Sequence, residues 1–236
     1  MTLVVAVAVA VAPAGAGTAA PGTRGAAACP PTLAASFEST GSSTQLVTVV
    51  AATRTSTNGT VRLWQKADGC WVATDGPWTA WLGGRGVSEN RREGDRTTPA
   101  GIFGIGSVMY GVAPNPGVSY PYRRVRCGDW WVEDARSPLY NQFRRTPCGS
   151  RTPFRTVGGD LSKSPTAYRH FAFIRFNANP VVRGRGSGIF LHASTGRPTL
   201  GCVSLPVAQL VTTLRWLRPQ AQPRIAIGTP AMLRRY

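Results

Sequence analysis

Apolar residues along this chain fall into short runs rather than long stripes. Residues 45–52 (QLVTVVAA) form a β-branched run, and a second run at 61–64 follows Asn58-Gly59, a turn dipeptide. Residues 71–73, 171–176 (FAFIRF), 189–192 and 225–227 have the same strand character. The 27 glycines and 19 prolines interrupt the pattern often enough to predict a sheet-rich domain with many loops. One segment has a helical period: after Pro206, the residues Val207, Val211, Leu214 and Leu217 recur at spacings of four, three and three, and Pro219 ends the run. The expectation is a mainly β fold with one or two short helices. Residues 110–165, rich in Gly, Pro and Arg, read as one long excursion, and residues before about 40 lack any period. No internal repeat and no linker marks a second domain.

The first residues read differently. Positions 3–14 (LVVAVAVAVAPA) are twelve apolar residues, too short to span a bilayer but suited to the core of a secretion signal. Ala14-Gly15-Ala16 and Ala26-Ala27-Ala28 are cleavage candidates, although no positive charge precedes the apolar core. A buried first strand is the alternative. The division expected is a leader over 1–28 and a single domain over 29–236. Five cysteines, at 29, 70, 127, 148 and 202, suit an oxidising compartment, where four pair and one is left over. Cys127 with Cys148 and Cys29 with Cys70 is one of three pairings those four permit. Cys29, following three alanines, has a lipidated first residue as its other reading.

Composition narrows the chemistry. Ten acidic residues against 27 basic ones give a net charge of +17, so paired-carboxylate catalysis has few candidates. Only His170 and His192 are present, and no C-x-x-C occurs, which disfavours a zinc site. No phosphate-binding G-x-x-x-x-G-K-[ST] loop occurs. The arginines are spread through the chain instead of being gathered on one stripe with aromatics, so no nucleic acid is expected as partner. For an exported protein an anionic cell wall is the more available counter-charge, and a plain solvated cationic surface is the alternative.

The chemistry concentrates between residues 188 and 206. In a strand ending at His192, Ile189 and Leu191 face one way, Phe190 and His192 the other. Ten residues on comes Cys202, between Gly201 and the expected helix. A helix N-terminus stabilises a thiolate, a neighbouring imidazole takes its proton, and Gly201 lets backbone N–H groups gather around an oxyanion. The plainer alternative is a small buried cysteine and a hydrogen-bonded histidine.

Ile189-Phe190-Leu191-His192 followed by Pro198-Thr199-Leu200-Gly201-Cys202-Val203 resembles the signature of the L,D-transpeptidase (YkuD-like) catalytic domain, in the branch with Pro-Thr-x-Gly-Cys. Gly94-Asp95-Arg96-Thr97-Thr98-Pro99-Ala100-Gly101-Ile102-Phe103 and Ile225-Ala226-Ile227-Gly228-Thr229-Pro230 are similar to its upstream and closing segments, in the same order over about 90–233. Trp131-Val132-Glu133-Asp134 and Ser137-Pro138-x-Tyr140-Asn141 also resemble that branch. The resemblance implies a YkuD-like β-sandwich or β-rich domain, a Cys202 nucleophile, a His192 proton carrier, and an oxyanion or substrate loop at Thr199, Gly201 and Val203. Thr199 holds the loop or the imidazole, or is simply a turn residue. Ser204 stands where many members carry Arg or Asn, and Leu200 where many carry His or Lys. Ser204 and His170 are candidate cleft residues, with a structural histidine as the default for His170. Thr97, Pro99 and Gly101 read as a turn feeding a strand beneath the cleft.

The resemblance further implies transfer of a peptidoglycan stem-peptide acyl group through a cysteine thioester to an amine of a second stem, with no metal or organic cofactor. Two other readings stay open: an L,D-carboxypeptidase with water as acceptor, and a non-catalytic cationic wall-binding module.

Overall fold

The computed structural model describes residues 1–6, 8, 10, 28–37 and 40–236. Half of the apolar run at 3–14, and the cleavage candidates apart from Ala28, lie outside the described residues. Among those described, no helix is long and apolar enough to cross a membrane.

The domain is mainly β. Strand β1 (Gln45–Val50) pairs with the antiparallel hairpin of β2 (Asn58–Ala67) and β3 (Cys70–Trp81). Asn58-Gly59 is not the turn here but the start of β2, where a Cβ on Gly59 would meet the Val50 carbonyl oxygen at 2.9 Å. The tight turn is Asp68-Gly69, with φ of 49° and 82°, the left-handed pair that a two-residue hairpin with right-handed twist needs. Two short strands, β4 (Val87–Ser88) and β5 (Thr98–Pro99), pair in parallel and lead into β6 (Gly101–Gly111). The excursion follows: β7 (Tyr122–Arg124) lies parallel to β6, and β8 (Asp129–Trp131) pairs with β9 (Phe143–Arg145). Asp129, fully buried, accepts two hydrogen bonds from the Arg145 guanidinium, at 2.5 and 2.7 Å, across that hairpin.

The chain then returns to the main sheet with β10 (Phe171–Ile174), β11 (Phe190–Ala193) and β12 (Val203–Leu205), runs through helix α1 (Val207–Trp216), and ends with β13 (Arg224–Gly228) and the short α2 (Pro230–Leu233). The strand order β10-β11-β12-β3-β2-β1-β13-β6, together with the β10–β6 pairing, curls the sheet until its two sides meet. Closure removes the long exposed edges that a sheet of this size would otherwise present.

Alternation along the strands sorts side chains into distinct cores. Val47, Val49, Leu63, Ile189, Leu191, Val203, Leu205, Ile225 and Ile227 fill one, together with Leu210, Leu214 and Leu217 from α1 and the residue after it. The buried helix face therefore runs through Leu210, Thr213 and Leu214, while Val207 is exposed and Val211 only partly buried, a rotation from the face expected. Outside the sheet, Phe171, Phe173 and Phe190 pack against Val125, Trp131 and Leu161 of the excursion. Each fully buried Phe contributes about 1.5–3 kcal/mol by leaving water. On another face, Ala34 and Phe37 pack with Leu46, Trp64, Ala226 and Leu233. Residues 29–37, though they lack any period, are thus tied to the fold, and Cys29 is bonded to Cys70. A sulfur in that disulfide is not available to a lipid. The second disulfide, Cys127–Cys148, closes the β8–β9 segment.

Replacing Cys127 and Cys148 together by serine releases a closed loop spanning a sequence separation of 21 residues. Stability measured by urea unfolding should fall by about 3 kcal/mol, the chain-entropy value for a loop of that length.

Candidate active site

The parallel pairing of β11 and β12 sets Leu191 beside Val203 and His192 beside Ser204. One step earlier, Cys202 lies beside Phe190, and the contact is direct: the Phe190 N–H donates to Cys202 Sγ at 3.4 Å, and the thiol donates to the Gly188 carbonyl at 3.3 Å. Cys202 is the cysteine outside both disulfides. Ile189 and Leu191 enter the sheet's inner core, whereas Phe190 packs with Cys202 on the other side. His192 shares that second side by strand alternation, so thiol and imidazole are diagonal neighbours on one face. His192 Nδ1 donates to the Ala193 carbonyl at 2.8 Å. The neutral ring therefore carries its proton on Nδ1 and keeps the Nε2 lone pair.

The loop before the cysteine is clamped from below. Thr199 Oγ1 accepts from the Gly201 N–H at 3.0 Å and donates to the Cys202 carbonyl at 2.8 Å. Thr98 Oγ1 donates to the same carbonyl at 3.2 Å. Thr199 is thus a loop-holding residue, and it occupies the Gly201 amide expected at the oxyanion. Gly201 has φ +135°; a Cβ there would stand 2.8 Å from the Thr97 carbonyl oxygen and collide with the Arg91 guanidinium. Only glycine fits. Arg91 is buried, with Nη1 reaching Asp95 at 3.2 Å, the Thr97 carbonyl, and the Leu200 carbonyl at 3.5 Å.

Burial decides the protonation state. Cys202 is 9% exposed and His192 7%. Desolvation pushes the thiol up to about 12, with the Glu133 charge adding to the rise; the Phe190 N–H and the Arg91 charge oppose it without winning. The imidazole is pushed down to about 4 by burial, against the partial support of the Ala193 and Ala167 carbonyls. The expected thiolate is corrected to a neutral thiol beside a neutral imidazole. The helix end invoked for it is also displaced: β12 intervenes, and α1 begins only at Val207. A helix dipole acts within its first turn, so it does not reach the sulfur.

Other predicted residues divide. Ser204 is buried beside His192, its hydroxyl without a hydrogen-bond partner. Val203 points into the inner core, and Leu200 stands in solvent at the loop tip. His170 does not join the site; its Nδ1 lies 2.9 Å from the Tyr122 hydroxyl, which packs on the inner core. Four neighbours were not identified as site residues from the sequence. Arg91 was one of several scattered arginines, and Glu93 and Tyr168 carried no motif. Glu133 stood only inside a stretch noted for its resemblance. Tyr168 packs against Phe190 and His192, with ring centroids 5.8 and 5.9 Å away. Asn141, from the other such stretch, accepts from Trp131 Nε1 at 2.8 Å and from the Gly188 N–H at 3.0 Å, fixing the strand entry.

A closed mainly-β domain with an unpaired, buried cysteine beside a histidine defines the class. The family model of the L,D-transpeptidase catalytic domain (YkuD) matches residues 45–230, and the chain belongs to that family. It is an enzymatic family of transpeptidases acting on peptidoglycan. Neither curated proteins nor solved structures gave a match.

Two pH experiments test the neutral pair. Iodoacetamide alkylation of Cys202 should rise about tenfold per pH unit from pH 7 to 10 without a plateau, since the thiol titrates near 12. For His192 the folded value near 4 lies below the ordinary 6.5, so only the unfolded chain binds the proton between them. Stability should fall as pH drops through that window, by up to about 3 kcal/mol. Urea unfolding at pH 7 and 4.5 should show a smaller loss for His192→Phe; the lowered value of His170 adds a loss of the same sign in both proteins.

Proposed function

We propose that the protein is an extracytoplasmic cysteine acyltransferase that cross-links peptidoglycan stem peptides, with Cys202 as nucleophile and His192 as proton carrier. One observation carries the reading: the single thiol left outside the disulfides lies on the same strand face as an imidazole whose other nitrogen is tied to the Ala193 carbonyl. Two disulfides and a family that works on the cell wall support the oxidising location. The division into a leader over 1–28 and one domain from 29 fits that location. The net charge of +17 suits an anionic wall.

The neutral pair sets the order of events. With a donor carbonyl over the sulfur, the thiol proton passes to His192 Nε2 as the S–C bond forms, so charge separates only in the transition state. The imidazolium returns the proton to the leaving amine. Its low proton affinity makes it a weak base but a strong acid for that second transfer. The Thr98 and Thr199 hydroxyls hold the Cys202 carbonyl, which fixes the backbone at the nucleophile before a donor binds.

One observation favours the non-catalytic wall-binding module: a thiol this buried is a poor nucleophile at rest. A carbapenem separates the two readings. Intact-protein mass spectrometry should show one covalent increment on the wild type and none on Cys202→Ala. A binding module shows no increment on either, yet sediments with insoluble peptidoglycan and is released by salt.

A further inference from the structure

Ten acidic residues are few for a chain of 236, and the structure shows what most of them do. Asp95, Asp129, Asp134 and Asp160 accept from backbone N–H groups. Glu89 binds Arg54 and Arg235, and Glu93 accepts from Tyr140 and Ser187. Glu133 follows β8 directly after Trp131 and the buried Val132, and is itself only partly exposed. No hydrogen bond or ion pair to its carboxylate is found among the described residues. A Cβ on Gly188 would stand 2.8 Å from Glu133 Oε1, and the Gly188 carbonyl is the one that accepts from the Cys202 thiol. Carboxylate and sulfur therefore flank the same glycine.

An unpartnered carboxylate in a half-buried position is costly to keep. Arg91 is the cation that acts on it, but its guanidinium is directed to Asp95, Thr97 and Leu200. The groups that act on Glu133 are Glu93 and Arg91, both from the loop after β4. Cys202 and Tyr168 complete the cluster, one preceding β12 and the other β10. Burial, with the Glu93 charge second, pushes its carboxyl up to about 7, against Arg91.

We infer that Glu133 is the residue that receives the ammonium of the second substrate and takes its proton, making the site selective for primary amine acceptors over water. The inference rests on Cys202 carrying the acyl group. An alkylamine arrives as ammonium at neutral pH, without a lone pair. His192 takes a proton only as a bond forms to the group that gives it up, and an ammonium has no lone pair with which to start that bond; Glu133, unpartnered and beside Gly188, pairs with the cation and takes its proton first. One N–H proton goes to the Glu133 carboxylate. The freed nitrogen lone pair forms the C–N bond as the carbonyl π pair moves to oxygen. Collapse of that oxyanion breaks the C–S bond, the second nitrogen proton passes through His192 to the Cys202 thiolate, and Glu133 releases its proton to water.

The test uses full-length protein acylated on Cys202 by a tetrapeptide donor, with the ratio of amide to hydrolysed product read by mass spectrometry. With an alkylamine acceptor, Glu133→Gln should lower that ratio at least tenfold and Glu133→Asp should recover part of it. With hydroxylamine, already neutral at pH 7, Glu133→Gln and wild type should give the same ratio. Equal ratios with the alkylamine, or equal losses with both acceptors, would overturn the role of Glu133. Wild-type protein that never takes up the acyl group, seen before any acceptor is added, overturns the Cys202 reading itself and this inference with it.

Discussion

The pairing of β11 with β12 places a sulfur where it shares the backbone polar groups of the neighbouring chain, accepting from Phe190 N–H and donating to the Gly188 carbonyl. That arrangement fixes more than the sulfur. It sets the strand register that puts His192 on the same face, and it leaves Cys202 itself to be held through its carbonyl by Thr98 and Thr199. Thr98 belongs to β5, far away in sequence, so the short β4–β5 pair serves to deliver a hydroxyl beneath the cysteine. Arg91 completes the support from under Gly201, where any side chain would displace it.

Two effects compete at this sulfur, and their magnitudes differ. A guanidinium and a backbone N–H favour thiolate, yet both act across a site that has lost most of its water, and the desolvation of a localised negative charge outweighs them. The same desolvation keeps the imidazole neutral. The pair is balanced in that neither member pays for charge at rest. On the proposed reading, a substrate carbonyl would change that balance only while it reacts, which matches the demand that stabilisation be greatest in the transition state.

Much of the site was legible in local pattern. Strand alternation assigned the faces of Phe190 and His192, the odd cysteine count isolated one thiol, and the stretch from Thr97 to Phe103 does feed β6. What escaped is long-range. Arg91 meets the Leu200 carbonyl across a separation of 109 residues, and nothing in the neighbourhood of either residue announces it. The closure of the sheet through β6 and β10 was hidden because β6 is glycine-rich and lacks a clean apolar alternation. The thiolate expectation failed for a different reason: a helix start read from Pro206 was placed beside Cys202 when a three-residue strand separates them. The Asp68-Gly69 hairpin signal, by contrast, is present in the sequence and is of the same kind as Asn58-Gly59; only the pairing of β2 with β3 tells the two apart.

Charge works at two ranges in this molecule. Across the molecule, 27 basic residues against ten acidic ones create a cationic field, screened over about 10 Å at ordinary salt. Around Cys202 both signs are present: the Arg91 charge favours the thiolate and the Glu133 charge opposes it, and no arginine is bound to the Glu133 carboxylate among the described residues. On the proposed reading, a cationic surface with a carboxylate near Cys202 would sort a polymer from the amine it carries. The scaffold would be attracted everywhere, whereas an ammonium would be favoured only where the sulfur is. That division would require the carboxylate to stay free of the abundant arginines, and Arg91, which acts on it, is held under the Gly201 loop by its own partners.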